Sequence, residues 1–303
     1  MLGTMSLRLA IVLGVLAVAG VSGVAAAAPS DGTGGLTIPI AVALGTLQGA
    51  TEFLPVSSSG HLALSQAFFG IDPELGGHRF SILAHLGTLM AVLWMYRRDV
   101  LELAGVLLHP LTPSPARTTL LMMVVATLPL GLVLVPGVEN AILAVESSPR
   151  LVGGCLLATA VVLFVAFRRP SEAGDDSLEP PRLGQAILVG LAQMVAVLPG
   201  ISRSGSTIAM GLGLGMDRTA AARFSFLISI PAILGATVLE VRKLMHQDTS
   251  VIDPWPYVVG CVVSFVVGLA CLRLLLVLVR SGRIMGFVVY LAAVGTAAVI
   301  WGG

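Results

Sequence analysis

The sequence predicts an all-α integral membrane protein, with about six transmembrane helices and two re-entrant helix pairs in an inverted-topology repeat. Three observations lead there. Of 303 residues, 56% are apolar and only 11% charged, with a mean hydropathy of +0.97, where soluble chains carry about 25% charged residues. Apolar runs long enough to cross a bilayer recur along the chain. Two polar stretches broken by Pro and Gly resemble each other at a nearly constant offset. The formal net charge of +1 offers no basic surface for a nucleic acid. Cys155, Cys261 and Cys271 stand singly in apolar stretches, as small buried hydrophobes do, without metal-ligand spacing.

Residues 1–35 stand apart from the rest. "MSLRLAIVLGVLAVAGVSGVAAAAPSDGTGG" has one arginine, Arg8, then an apolar core, an alanine run and a polar Gly-rich linker. That is the pattern of a signal peptide cleaved near Ala26 to Ala28, with an uncleaved extra helix as the alternative. The membrane domain is expected over 36–303, as two repeats of about 36–169 and 183–303. Its first helix runs from about 37 to 54 and stops at Pro55, because proline lacks a backbone donor. A serine-rich turn and a short helix at about 61–70 complete the first interrupted pair. Spans are expected at about 79–96, 118–136, 150–168, 220–240, 255–277 and 284–301, with a second interrupted pair at about 183–199 and 205–216.

The duplication is visible residue by residue. Laying Gln48 on Gln193 brings Gly45 onto Gly190, Ser57 onto Ser202, Ser59 onto Ser204 and Gly60 onto Gly205. Shortly after, "RFSIL" from Arg79 meets "RFSFL" from Arg223. Arginine placement sets the orientation. Arg97, Arg98, Arg117, Arg168, Arg169, Arg182, Arg218, Arg223, Arg280 and Arg283 can all lie on the cytoplasmic side, leaving few basic residues outside. Three spans per half is an odd number, so the second half is inverted and the N-terminus lies outside.

Most intramembrane ionisable groups fall in the two related loops. In "QGATEFLPVSSSGHL", Gln48 and Glu52 share a helix face one turn apart. Ser57, Ser58, Ser59 and Gly60 open the next helix, whose amides form an anion cradle, and His61 follows Ser58 by three, so both fit one pocket. "LPGISRSGSTI" adds Ser202, Ser204, Gly205 and Thr207 around Arg203, whose guanidinium fork matches phosphate oxygens. His85 and His109 read as packed or interfacial residues outside the site.

These two motifs resemble the signatures of the bacterial undecaprenyl-diphosphatase family of the bacitracin-resistance type, and "HLGTLMAVLWMYRRD" and "FSFLISIPAILGAT" extend the likeness over about 36–301. The resemblance implies hydrolysis of undecaprenyl pyrophosphate to the monophosphate and phosphate, recycling the lipid carrier of cell-wall synthesis. It also implies bacitracin resistance, since bacitracin competes by binding the substrate. A divalent cation, Mg2+ or Ca2+, a location in the bacterial inner membrane and a site facing the periplasm are further implications, and a homodimer is allowed. By position, Glu52, Ser58, His61, Ser202, Arg203, Ser204 and Thr207 match the family's functional residues. Gln48 stands where many members have a second Glu, and Ser81 where many have an acid. Arg203 and the Ser202–Gly205 amides would bind pyrophosphate with Ser57, Ser59, Gly60 and Thr207, while Gln48 and Glu52 would hold the metal, or Glu52 would act as a base. Either Ser58 attacks with His61 moving protons, or His61 attacks and Ser58 binds phosphate. A transporter or flippase for a lipid phosphate or other anion is the alternative class.

Overall fold

The computed structural model describes residues 36–69, 78–109, 112–135, 137–168, 179–244 and 253–302; the signal-like segment and most of the acidic loop lie outside them. The described residues are helical throughout, in the order α1 (Ile38–Phe53), α2 (Ser58–Phe69), α3 (His78–Met95), α4 (Arg97–Leu108), α5 (Pro115–Thr127), a 3-10 segment (Leu128–Leu134), α6 (Val138–Glu146), α7 (Pro149–Arg168), α8 (Leu183–Val195), α9 (Arg203–Gly213), α10 (Arg218–Leu244), α11 (Trp255–Arg280) and α12 (Met285–Trp301). Among them, α5 with its 3-10 extension, α7, α10 and α11 are long and apolar enough to cross a membrane. With 18 and 17 residues, α3 and α12 sit at the short end of a bilayer-spanning helix, roughly 17–25 residues. This is a multi-pass helical membrane architecture. Large apolar side chains such as Trp94, Leu121, Val161, Val262 and Val289 face outward, as lipid permits and water does not.

Four departures from the sequence expectation have local causes. Helix α2 begins at Ser58, three residues early, because Ser57 adopts the capping role. The second expected span loses α-helical geometry at Leu128, next to Pro129, and continues as the 3-10 segment. A helix not foreseen, α4, turns 87° away from α3. Its alternation of Val100, Leu103 and Val106 with charged residues marks it as amphipathic, and its Asp99 pairs with Arg223 of α10. A second unforeseen helix, α6, follows Gly137, whose φ of +93° suits only glycine.

The halves interlock rather than stand side by side. The first helix of each interrupted pair packs on the second long span of the other half, α1 on α11 and α8 on α5, while α12 lies along α7. Backbone approach makes this possible. A Cβ on Gly45 of α1 would sit 2.6 Å from the Gly260 carbonyl oxygen of α11, and one on Gly87 of α3 would overlap the Cys261 carbonyl on the same helix. In a bilayer such close approach supplies the dispersion contacts that drive helix association. Aromatic rings fill the centre. Phe53 meets Phe226 edge-on with centroids 5.8 Å apart, and Phe226 stacks on Tyr96 at 6.2 Å. This core lies directly behind the ends of α1 and α9.

The packing makes a direct expectation. Gly87→Val should destabilise the fold by about 1–3 kcal/mol through overpacking, whereas Gly154→Ala, with nothing within 4 Å of the added carbon, should be neutral. Thermal unfolding of detergent-solubilised protein, followed by size-exclusion profile, measures both.

Candidate active site

The site is built where the two interrupted pairs meet. Helix α1 delivers Gln48 and Glu52 one turn apart, and the Gln48 Nε2 donates to Glu52 Oε2 at 3.0 Å. After α1 ends, the chain turns through Ser57, the one non-glycine residue with positive φ (+70°) among the described residues. That turn reverses the backbone so that Ser58 opens α2 with its hydroxyl donating to Glu52 Oε2 at 2.7 Å. The second loop mirrors it. Gly200 takes φ +97°, where a Cβ would also strike the Val152 carbonyl of α7. Ser202 then caps α9 by accepting from the Gly205 N–H at 3.1 Å. Thr159 of α7 fastens the loop, its hydroxyl donating to Gly200 O at 3.0 Å and accepting from Ser202 N–H at 3.1 Å.

The loops are joined through Ser57, whose hydroxyl also donates to the Ile201 carbonyl oxygen at 3.4 Å, and through Arg203. Ser57 Oγ accepts from the Gly200 N–H at 3.2 Å. Arg203, the first residue of α9, pairs through Nη2 with Glu52 Oε1. Its Nη1 is buried and has no hydrogen-bond partner. A buried guanidinium with a donor left over calls for an anion, since an unsatisfied charged donor is costly in a low-dielectric site.

A cavity of about 540 Å³ opens at this point. One end is polar, with Glu52, Ser57, Ser58, Ser59, Ser202 and Arg203 on its wall. The other is apolar, formed by Leu130, Val133 and Leu134 of the 3-10 segment and Pro231, Ile233 and Leu239 of α10. The 3-10 segment that begins at Leu128 and the proline inside α10, Pro231, both contribute to this apolar side. A polar end continuous with an apolar one suits an amphiphile with an anionic head.

The structure brings most of the expected residues together and sets several behind the wall. Gly60 packs on Gly200, and Gly205 on Ser202 and Pro55. The Ser204 hydroxyl lies 3.3 Å from that of Ser202. Thr207 bonds Ser225 at 2.6 Å and the Arg203 carbonyl at 2.7 Å. These residues shape the loops; they are not on the cavity wall among the described residues.

His61 corrects the expectation that it shares a pocket with Ser58. Its Nδ1 lies 2.8 Å from the Ser57 carbonyl oxygen and its Nε2 2.7 Å from the Tyr290 hydroxyl of α12, and it does not line the cavity. The i, i+3 spacing was sound; the direction of the ring was decided by a helix 229 residues away.

His85 was set aside in the sequence and belongs at the wall. Its Nδ1 faces the Ser81 carbonyl oxygen at 2.7 Å, which can only accept, so the ring proton sits there. Its Nε2 lies 3.7 Å from Glu52 Oε2, placing two acceptors face to face unless a proton or a donor comes between. Gln193, the repeat partner of Gln48, also lines the cavity, with a buried Oε1 that has no partner. Polar side chains in a membrane span are themselves a signal, and both residues carried it.

Metal ligation depends on few groups. Among the described residues no three His, Cys, Asp or Glu are grouped to hold an ion. Glu52 is the carboxylate on the cavity wall, and the buried Oε1 of Gln48 beside it has no partner. This donor set fits a hard cation that takes most of its oxygens from a phosphate and water, and not an all-protein cage.

Comparison with known proteins agrees with this geometry. A family described as Bacitracin resistance protein BacA matches residues 41–297. A protein of Desulfosudis oleivorans named undecaprenyl-diphosphatase is 40% identical over 275 residues, covering 86% of this chain and 97% of the relative. Proteins with the same name from Desulfatibacillum aliphaticivorans and Rubrobacter xylanophilus are each 38% identical, over 277 and 259 residues, and cover 86% and 82% of this chain and 96% and 93% of their own length. A match of that extent, on a chain whose paired loops meet around one carboxylate and one guanidinium, places this protein in the bacitracin resistance protein BacA family.

Proposed function

We propose that this chain hydrolyses undecaprenyl pyrophosphate to undecaprenyl phosphate and inorganic phosphate, and that the return of the lipid carrier confers resistance to bacitracin, which binds the pyrophosphate form. The observation that carries this reading is the half-used guanidinium of Arg203. It stands beside a serine already hydrogen-bonded to a carboxylate, at the polar end of an amphiphilic cavity. The pyrophosphate occupies the polar end and the prenyl chain runs along Leu130, Leu134 and Leu239.

Phosphoryl transfer asks for positioning and charge neutralisation more than for covalent chemistry. Arg203 Nη1 and the hydroxyls of Ser59 and Ser202 hold the terminal phosphate. Ser58 Oγ attacks its phosphorus, the serine–phosphorus bond forming as the bridging bond to undecaprenyl phosphate breaks. The serine proton passes to Glu52 Oε2, its hydrogen-bond acceptor. Water then displaces the serine, whose oxygen recovers the proton from Glu52, and phosphate leaves. His85 Nε2 faces the same carboxylate and donates to the departing or entering oxygen once protonated. Ser58 is preferred to His61 as nucleophile because both nitrogens of His61 are already engaged. Glu52, with Gln48 beside it, would hold Mg2+ or Ca2+. When bound, the cation offsets the charge of the pyrophosphate that one guanidinium leaves unbalanced.

Two inverted repeats with the site open to the outer face of the inner membrane complete the reading. The matched loops, the reciprocal packing of α1 on α11 and α8 on α5, and the arginine distribution support it.

Phosphate release from undecaprenyl pyrophosphate by purified protein in detergent tests the proposal. Wild type should release phosphate, a chelator should abolish release, and Mg2+ or Ca2+ should restore it. Glu52→Ala and Ser58→Ala should each lower kcat about a thousandfold or more, and Arg203→Lys about a hundredfold through loss of the fork. His85→Ala should lower kcat/KM about tenfold. A folded wild type that releases nothing, yet moves the lipid or an anion across vesicles, would make the chain a transporter instead.

A further inference from the structure

Tyr290 has no part in the chemistry above, yet it ends a chain of hydrogen bonds that leads to Ser58. It lies on α12, in the second half, partly buried, with its ring stacked on that of His61 at 5.6 Å between centroids and 9° between planes. Its hydroxyl is 2.7 Å from His61 Nε2. On the far side of the imidazole, Nδ1 is 2.8 Å from the Ser57 carbonyl oxygen. A carbonyl only accepts, so Nδ1 carries the proton. In the neutral ring Nε2 is then an acceptor, and the Tyr290 hydroxyl donates to it. The ring is 7% exposed and has no nitrogen left for a substrate.

What the imidazole holds is the unusual residue of the loop. Ser57 has φ +70°, a conformation an L side chain adopts only when its surroundings enforce it. The enforcement comes from four donors: His61 Nδ1–H and the His61 backbone N–H on its carbonyl, at 2.8 and 3.2 Å, and the N–H groups of Gly60 and Gly200 on its hydroxyl, at 3.3 and 3.2 Å. Ser58 is the next residue, so the Ser57 turn sets the direction in which the Ser58 hydroxyl leaves the backbone and reaches Glu52 at 2.7 Å.

We propose that Tyr290 and His61 are positioning residues: Tyr290 fixes the orientation and protonation of the imidazole, which clamps the left-handed Ser57 and so aims Ser58. The second half of the chain thereby orients the nucleophile of the first. This rests on the phosphatase reading, in which Ser58 acts; it replaces the proton-moving role the sequence suggested for His61 with a positioning one. A misaimed nucleophile lowers kcat while the Arg203 contacts still bind substrate, so KM stays close to its original value.

The test uses full-length protein in detergent, with kcat and KM for undecaprenyl pyrophosphate and a thermal midpoint for each variant. Tyr290→Phe keeps the ring and removes one neutral hydrogen bond, and kcat should fall about three- to tenfold. His61→Asn keeps an N–H for the Ser57 carbonyl but cannot carry a proton through the reaction. It should retain activity within about threefold of Tyr290→Phe, while His61→Ala falls about a hundredfold below wild type. Adding Tyr290→Phe to His61→Asn should cost little more, because the two act through one chain. An unchanged kcat in Tyr290→Phe, or a stable His61→Asn as inactive as His61→Ala, overturns the inference while wild-type turnover leaves the phosphatase reading standing. Absence of turnover in folded wild type removes that reading itself.

Discussion

The ion pair between Glu52 and Arg203 is the constraint on which the rest of the site depends. It joins the end of α1 to the start of α9, two helices 151 residues apart in sequence, at the place where both are interrupted. Neither charge could remain there alone, because removing one partner of a buried pair costs about 3–5 kcal/mol. The pair is also incomplete by design. Glu52 shares its second oxygen with Ser58 and Gln48, and Arg203 keeps one buried donor free of partners. The interaction that closes the fold thus leaves a site with acceptor, hydroxyl and cationic donor gathered round one space.

Around that pair the chain trades regular helix for shape. Two breaks, the serine loops before α2 and α9, turn backbone and hydroxyl donors toward the cavity. The 3-10 segment after α5, with Pro231 inside the continuous α10, shapes its apolar end. In a bilayer each irregularity must lie against protein or a polar cavity, since lipid satisfies no backbone group. Their collection round one cavity follows from that rule, and it produces the amphiphilic space that a lipid pyrophosphate requires. The closest backbone packing runs along the glycine-lined seam of α1, α3 and α11, and Glu52 lies near the end of the α1 side of that seam.

The two serine loops also divide their labour. Ser57 and Ser202 occupy matching places in the two similar sequence stretches, and each precedes a short helix and accepts from its third amide. Yet Ser57 is left-handed and followed by a serine, whereas Ser202 is extended and followed by Arg203. One loop brings a hydroxyl to Glu52 and the other a guanidinium. Thr159 supports the second loop and His61 the first, so equivalent turns are held by unrelated devices.

The sequence by itself determined that the chain is an apolar helical bundle, where its interrupted helices lie, and which two loops hold the polar groups that the fold brings together. Those properties follow from composition, hydrophobic run length and local backbone chemistry at Pro55, Gly200 and the serines, all short-range in the chain. Tertiary structure alone decided which way each polar group faces. His61 and Ser58 have the spacing for one pocket, but Tyr290, reached only when α12 folds back, draws the imidazole away. His85 looked like packing in a continuous apolar helix, until α1 and α3 came together and set it 3.7 Å from Glu52. Beyond the 87° turn into α4, Asp99 likewise meets Arg223 from the other half. Spacing along a helix defines a shared face; which neighbour that face meets is a long-range contact, and one strand of sequence does not contain it.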